Sequence, residues 1–200
     1  MNEMPALLRL LATRAGNLLR AESIANSLDL GAGVVRDYIT LLEAVFLVRR
    51  LPAWRRGLSQ RVVHTGKGYV VDSGLMTYLL GADEERLASD ERLTGISFEN
   101  FVVMEILRQL DWAGVSARAH HFRDRDGNEV DLVLEDRRGR VVGIEVKATA
   151  TARDRDFRGL RKLRRLAGDD FVAGAVIYTG ESTLATESNL WSIPLTTLWR

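Results

Sequence analysis

The sequence predicts an α/β protein, α+β overall, in which helices ending in a β-ribbon precede an αβββαβ unit built on a mixed sheet. Three observations carry this. Apolar residues recur at helical spacing through most of the first 44 positions. Two alternating runs, 130–134 and 141–147, flank a charged turn containing Gly139, the pattern of a β-hairpin. A further apolar run, 171–178, follows a helical stretch, so a right-handed crossover lays it parallel to the 141–147 strand.

Composition sets outer limits. At 200 residues and 46% hydrophobic content the chain suffices for one medium domain, or a small one and a larger one. Without cysteine, neither a disulfide framework nor a thiolate metal site is available. The net charge of +1 gives no global attraction to nucleic acid, so only local charge patterning bears on it. No apolar run approaches a membrane span and no basic-then-apolar leader opens the chain; a soluble cytoplasmic protein with no membrane partner is expected.

In chain order, Pro5 introduces a short helix over 6–14, and residues 22–28 form a second, with Ile24, Ala25 and Leu28 on one face. Asp29-Leu30-Gly31 breaks it. A third helix, 33–44, carries Val34, Val35, Tyr38, Ile39, Leu41 and Leu42. Two short helices about a Gly-containing turn fit a helix-turn-helix. A strand over 46–51, a loop over 52–60 and a return strand over 61–64 complete a winged helix-turn-helix over residues 1–65. The wing holds Arg49, Arg50, Arg55, Arg56 and Arg61 around Trp54, a phosphate-contacting composition. The third helix exposes only Arg36, Asp37, Thr40 and Glu43, a weak set for reading base edges, so DNA contact and an interaction or packing role both stand.

Residues 66–94 connect. They hold a strand at 69–71, a helix capped by Asp72 or Ser73 and running through Leu80, and a charged loop. Gly66-Lys67 is followed by Gly68 rather than Ser or Thr, so it is no phosphate loop. The last region, 95–200, opens on a helix over 97–110. There Val102, Val103, Ile106 and Leu110 form an arc with Glu99 at its middle and Glu105 at its edge. A carboxylate on an apolar face must be paired or bind metal; placement in the first turn of a helix is the competing explanation.

The hairpin brings further carboxylates. Alternation puts Val130, Leu132 and Leu134 on one face and Glu129, Asp131 and Val133 on the other; Glu145 and Lys147 share a face. If Leu134 faces Val142, Asp131 stands opposite Glu145, and such a pair calls for a shared proton or a cation. Oxygen-only ligation favours Mg²⁺ or Mn²⁺. An amphipathic hairpin with a solvated charged face is the alternative. Adjacent His120 and His121 point to opposite faces, which excludes a shared zinc site. The helix over 153–167 carries Arg153, Arg155, Arg158, Arg161, Lys162, Arg164 and Arg165, a stripe suited to a phosphate backbone or simply a solvated face.

Helix, three-stranded meander, helix, strand, with Glu99, Asp131, Glu145 and Lys147 in that order, resembles the PD-(D/E)XK nuclease superfamily. Phe98-Glu99-Asn100-Phe101, Gly127-Asn128-Glu129-Val130-Asp131 and Ile144-Glu145-Val146-Lys147 are similar to the nuclease-like domain of unknown function found C-terminal to bacterial AAA+-type ATPases. The resemblance extends upstream through Leu41-Leu42-Glu43 and Val71-Asp72-Ser73-Gly74-Leu75. It implies a restriction-endonuclease-like core over 95–200. It also implies a Mg²⁺- or Mn²⁺-dependent endonuclease with Glu99, Asp131, Glu145 and Lys147 catalytic, the three carboxylates holding the metal. Arg55, Arg56, Arg61, Arg158, Arg161, Lys162 and Arg165 would grip nucleic acid, DNA rather than RNA. The family's motif proline is Val130 here, and no phosphate loop is present, so the chain is expected to be either the C-terminal part or a stand-alone relative of an ATPase-linked protein, with an AAA+ ATPase domain as partner in cis or trans. A catalytically silent DNA-binding or protein-docking module that regulates such an ATPase is the reading from a different class.

Overall fold

The computed structural model describes residues 3–55, 63 and 65–199. The chain divides into two compact units, residues 1–51 with 65–104 and residues 52–64 with 105–200.

The first unit opens with helices α1 (Glu3–Thr13), α2 (Ala21–Leu28) and α3 (Ala32–Ala44). Leu7, Leu11, Ile24, Val35, Ile39 and Leu42 form their shared core, as the helical spacing predicts. Between α2 and α3 the chain turns through Asp29, which takes the left-handed conformation tolerated by its short polar side chain (φ 54°). Strand β1 (Val48–Leu51) follows and pairs antiparallel with β2 (Lys67–Val70). The expected return strand at 61–64 lies, apart from residue 63, outside the described residues. Helix α4 (Ser73–Leu79) starts where Asp72 accepts a hydrogen bond from the Leu75 amide at 2.6 Å.

After α5 (Glu84–Ser89), helix α6 runs from Glu91 to Trp112, six residues earlier than its expected start at Ser97. Asp90 is the reason: its carboxylate accepts the Leu93 amide at 3.0 Å, and the helix passes through Gly95. Residues 102–107 are all buried, so the middle of α6 is enclosed on every side rather than along one arc.

The second unit is a six-stranded mixed sheet in the order β3-β4-β5-β6-β8-β7. The strands are β3 (Ala117–Arg123), β4 (Glu129–Asp136), β5 (Val141–Lys147), β6 (Phe171–Tyr178), β7 (Leu184–Glu187) and β8 (Leu190–Pro194). β3, β4 and β5 form the predicted antiparallel meander. β6 lies parallel to β5 after the crossover helix α7 (Arg158–Ala167), and β8 lies parallel to β6. The β7–β8 hairpin was not expected; its strands are short and β7 is largely exposed, so no apolar alternation marks it. Leu160 and Leu163 of α7 pack on Phe122, Val130, Val133 and Val176 of the sheet.

Trp54, expected in a wing, belongs to this core. It is 3% exposed and meets Phe122 edge-on, ring centroids 6.4 Å apart. The segment around it runs along the outer edge of β3: His121 donates its amide to the Pro52 carbonyl (2.8 Å), Trp54 returns a bond to the His121 carbonyl, and the Val63 amide reaches Arg123. Among the described residues no helix is long and apolar enough to cross a membrane.

Candidate functional site

The site grows from an irregularity in β4. Between His120 and Phe122 two steps along β3 match three along β4, from Val133 to Val130, so Asp131 and Leu132 form a β-bulge. Regular alternation would separate Val130 from Val133; the bulge places both in the core with Leu160 and Leu163. The expected face grouping of β4 therefore fails at this point.

Across the hairpin, Leu134 faces Val142 and Leu132 faces Ile144, the register the sequence predicts. One step further stand Asp131 and Glu145, 4% and 7% exposed. The Asp131 carboxylate accepts the Val146 amide at 2.9 Å, so a side chain extends the β4–β5 hydrogen bonding beyond Leu132 and Ile144. On the face that Glu145 shares with Lys147, the lysine Nζ lies 2.6 Å from Glu145 Oε1. Burial works against the charge on Lys147, but Glu145 and then Asp131 outweigh it and hold its pKa above the ordinary 10.5. Lys147 is thus an ammonium at neutral pH, fit to stabilise negative charge and unfit to act as a base.

Whether this set suits a divalent cation turns on its chemistry. Among the described residues no three His, Asp or Glu side chains converge as a metal cage. Two buried carboxylates meet the lesser demand of Mg²⁺, which takes one or two carboxylates and completes its shell with water and substrate phosphate. Val146 sends its amide towards β4, and a strand residue presents its carbonyl to the same side, which adds a third oxygen. The donor set fits a hard cation.

Glu99 is held within the first unit. Its carboxylate takes Lys67 Nζ at 3.2 Å and the Tyr69 hydroxyl at 2.9 Å. Its neighbour Asn100 exchanges two hydrogen bonds of 2.9 Å with the backbone of Val70. Asp131, Glu145 and Lys147 come together in the second unit. The burial argument for Glu99 thus finds its answer in a lysine that the sequence offers only as a failed phosphate loop.

The basic stripe divides. Arg158 and Arg165 are exposed, as is Arg55. Arg161 is engaged by Asp154 and by Glu187 (2.6 Å), and Arg164 also pairs with Glu187 (2.8 Å). Lys162 stands 3.5 Å from Asp124 and 3.7 Å from Asp126. Arg56 and Arg61 lie outside the described residues.

The sequence carries no sign that the 124–128 connection is built around a buried carboxylate. Asp124 is 3% exposed and accepts the amides of Asp126 and Asn128 and the Asn128 side chain. Burial disfavours its charge, yet the Asn128 hydrogen bonds and Lys162 hold its pKa below the ordinary 3.8. A depressed carboxylate stabilises the fold above its unfolded value and ceases to as pH falls through the folded one. Melting temperature should therefore drop below about pH 4, less steeply in Asp124→Asn; identical acid limbs for the two proteins would refute the clamp.

The architecture and site define a mixed-sheet α/β protein carrying two buried carboxylates, Asp131 and Glu145, beside a half-buried Lys147. Residues 94–198 match the family model described as Domain of unknown function (DUF4143), and the chain belongs to that family. Residues 1–86 match a second, Domain of unknown function (DUF8612). The chain is 28% identical over 186 residues to the uncharacterized protein Rv2008c of Mycobacterium tuberculosis, and equally to the uncharacterized protein Mb2031c of Mycobacterium bovis. These alignments cover 92% of this chain and 40% of each relative, so the chain spans well under half the length of the curated relatives it matches.

Proposed function

We propose that the second unit is a restriction-endonuclease-like, divalent-metal-dependent nuclease domain that hydrolyses phosphodiesters, in DNA rather than RNA. The observation that carries this reading is the buried Asp131 carboxylate bonded to the Val146 amide at 2.9 Å, next along β5 to the buried Glu145, with Lys147 at 2.6 Å from Glu145. Asp131, Glu145 and the Val146 carbonyl would hold Mg²⁺ or Mn²⁺, which when bound polarises the phosphate and lowers the pKa of water. Lys147, two residues along β5 from Glu145, steadies the anionic phosphorus centre or orients the attacking water. Arg158 and Arg165 remain exposed to meet a phosphate backbone. The first unit is read as a winged helix, and an AAA+ ATPase domain as its partner in cis or trans.

The test is cleavage of plasmid and single-stranded DNA with Mg²⁺ or Mn²⁺, wild type beside Asp131→Ala, Glu145→Ala and Lys147→Ala. Metal-dependent cleavage should fall by about 100-fold or more in each folded variant. Cleavage that persists undiminished in Glu145→Ala would remove the site from the chemistry.

A second reading, a catalytically silent docking module that regulates the ATPase, draws support from α3. Its outward stripe of Val34, Leu41 and Val45 is 39%, 53% and 61% exposed, and Arg36 is turned to Glu22. Phe46, 78% exposed, holds a positive φ of 58° that a bulky residue rarely adopts. Such a surface suits a protein better than base edges. A melting temperature indifferent to millimolar Mg²⁺ and Mn²⁺, with no cleavage, would favour it.

A further inference from the structure

The first unit contains a cavity of about 430 Å³ among α1, α4, α5 and α6, separate in its residues from everything assigned above. This volume lies within the range of small-molecule sites. Its floor is apolar, made by Leu10, Leu79, Leu80, Leu93 and Ile96. Three guanidinium groups line it, those of Arg9, Arg86 and Arg92, against one carboxylate, Asp90.

Three cations against one carboxylate leave the lining net positive. Asp90 already accepts the Leu93 amide at the start of α6. Arg86 is fixed in place: its Nη1 donates to the carbonyls of Leu80 (2.8 Å) and Gly81 (3.1 Å), closing the end of α4. A long cation that would otherwise sweep through solvent is thereby held beside an apolar floor, its ordering entropy already spent by the fold. Bare phosphate or sulfate would leave the leucines in water, and a neutral hydrocarbon would leave the arginines unanswered. A molecule with an anionic end and an apolar body satisfies both.

We propose that this cavity binds a small amphiphilic anion, a carboxylate or phosphate monoester carrying an aliphatic or aromatic body. The site is independent of the nuclease reading. Arg9 and Arg92 are exposed and supply the changeable part of its charge, while Arg86 supplies the fixed part.

The test titrates the full chain with octanoate, 1-octanol and inorganic phosphate. Affinity is read by calorimetry and location by backbone amide shifts, in wild type and in Arg9→Glu and Arg92→Glu. Both are surface substitutions that leave the Arg86 cap in place. Octanoate should bind with shifts centred on Leu80, Leu93 and Ile96, at least about tenfold more tightly than either 1-octanol or phosphate. Each charge reversal should weaken octanoate about tenfold and leave 1-octanol unchanged. Octanoate and octanol binding alike, octanoate insensitive to both reversals, or shifts elsewhere on the chain would each overturn the proposal. So would saturable binding of phosphate alone.

Discussion

Replacing Gly159 by alanine is expected to destabilise the second unit by about 3 kcal/mol, lowering the melting temperature by about 10 °C. Gly159 sits in the first turn of α7, where the helix backbone rests directly on β4. A Cβ there would overlap the carbonyl oxygen of Glu129 and come within 2.7 Å of its carbonyl carbon. A strand carbonyl cannot swing aside as the end of a flexible side chain can, so α7 must lift and drag Leu160 and Leu163 from the core. The strand it leans on is the one that carries Asp131 two residues later. Gly33→Ala is the control: open space surrounds that position within α3, and alanine should gain up to about 1 kcal/mol from helix propensity. Urea unfolding of both variants measures this, and a Gly159→Ala midpoint equal to wild type would show that the helix yields without cost.

The second large effect concerns Glu99. Lys67 is fully buried, and the Glu99 carboxylate lies 3.2 Å from its ammonium. Glu99→Ala takes from that buried ammonium the carboxylate at 3.2 Å, at a cost of about 3–5 kcal/mol. Lys67→Met combined with Glu99→Leu removes both charges and should restore most of the stability, because the desolvation penalty disappears together with the pair. The same variants separate structure from chemistry. A Glu99→Ala protein of unchanged stability that has lost metal-dependent cleavage would return Glu99 to the site. A destabilised one that cleaves normally would confine it to the first unit.

What could be read from the residues depended on whether the deciding interaction was local. The α2–α3 pair and the β4–β5 register were legible, because helical spacing, a Gly139 turn and strand alternation act within a few residues. Asp131, Glu145 and Lys147 were legible as a group for the same reason. The bulge at Asp131 was not, since its cause is a mismatch in step with β3, and nothing in the composition of β4 marks it. Glu99 was flagged by an incompatibility, a charge on an apolar face, but its partner Lys67 lies 32 positions upstream, a pairing that periodicity cannot supply. The basic stripe on α7 misled by counting cations without their partners: Glu187, which holds Arg161 and Arg164, sits on a strand the sequence did not announce. Trp54 was placed in a wing by its arginine neighbours, whereas its large apolar surface draws it into the core.

The position of Trp54 bears on how the protein behaves at high concentration. An open sheet has two edges, and an unpaired edge is a template on which another chain can add a strand. At β7 the hazard is small, for the strand spans only four residues and ends on a glutamate. β3 is longer and carries Phe122 and two histidines, and there the chain covers its own flank with the backbone of residues 52–54 and 63. Trp54 is the anchor of that cover. Loosening it would cost packing energy and also convert β3 into an adhesive border, so a Trp54→Ala protein should fail first by forming strand-paired aggregates, before its sheet melts.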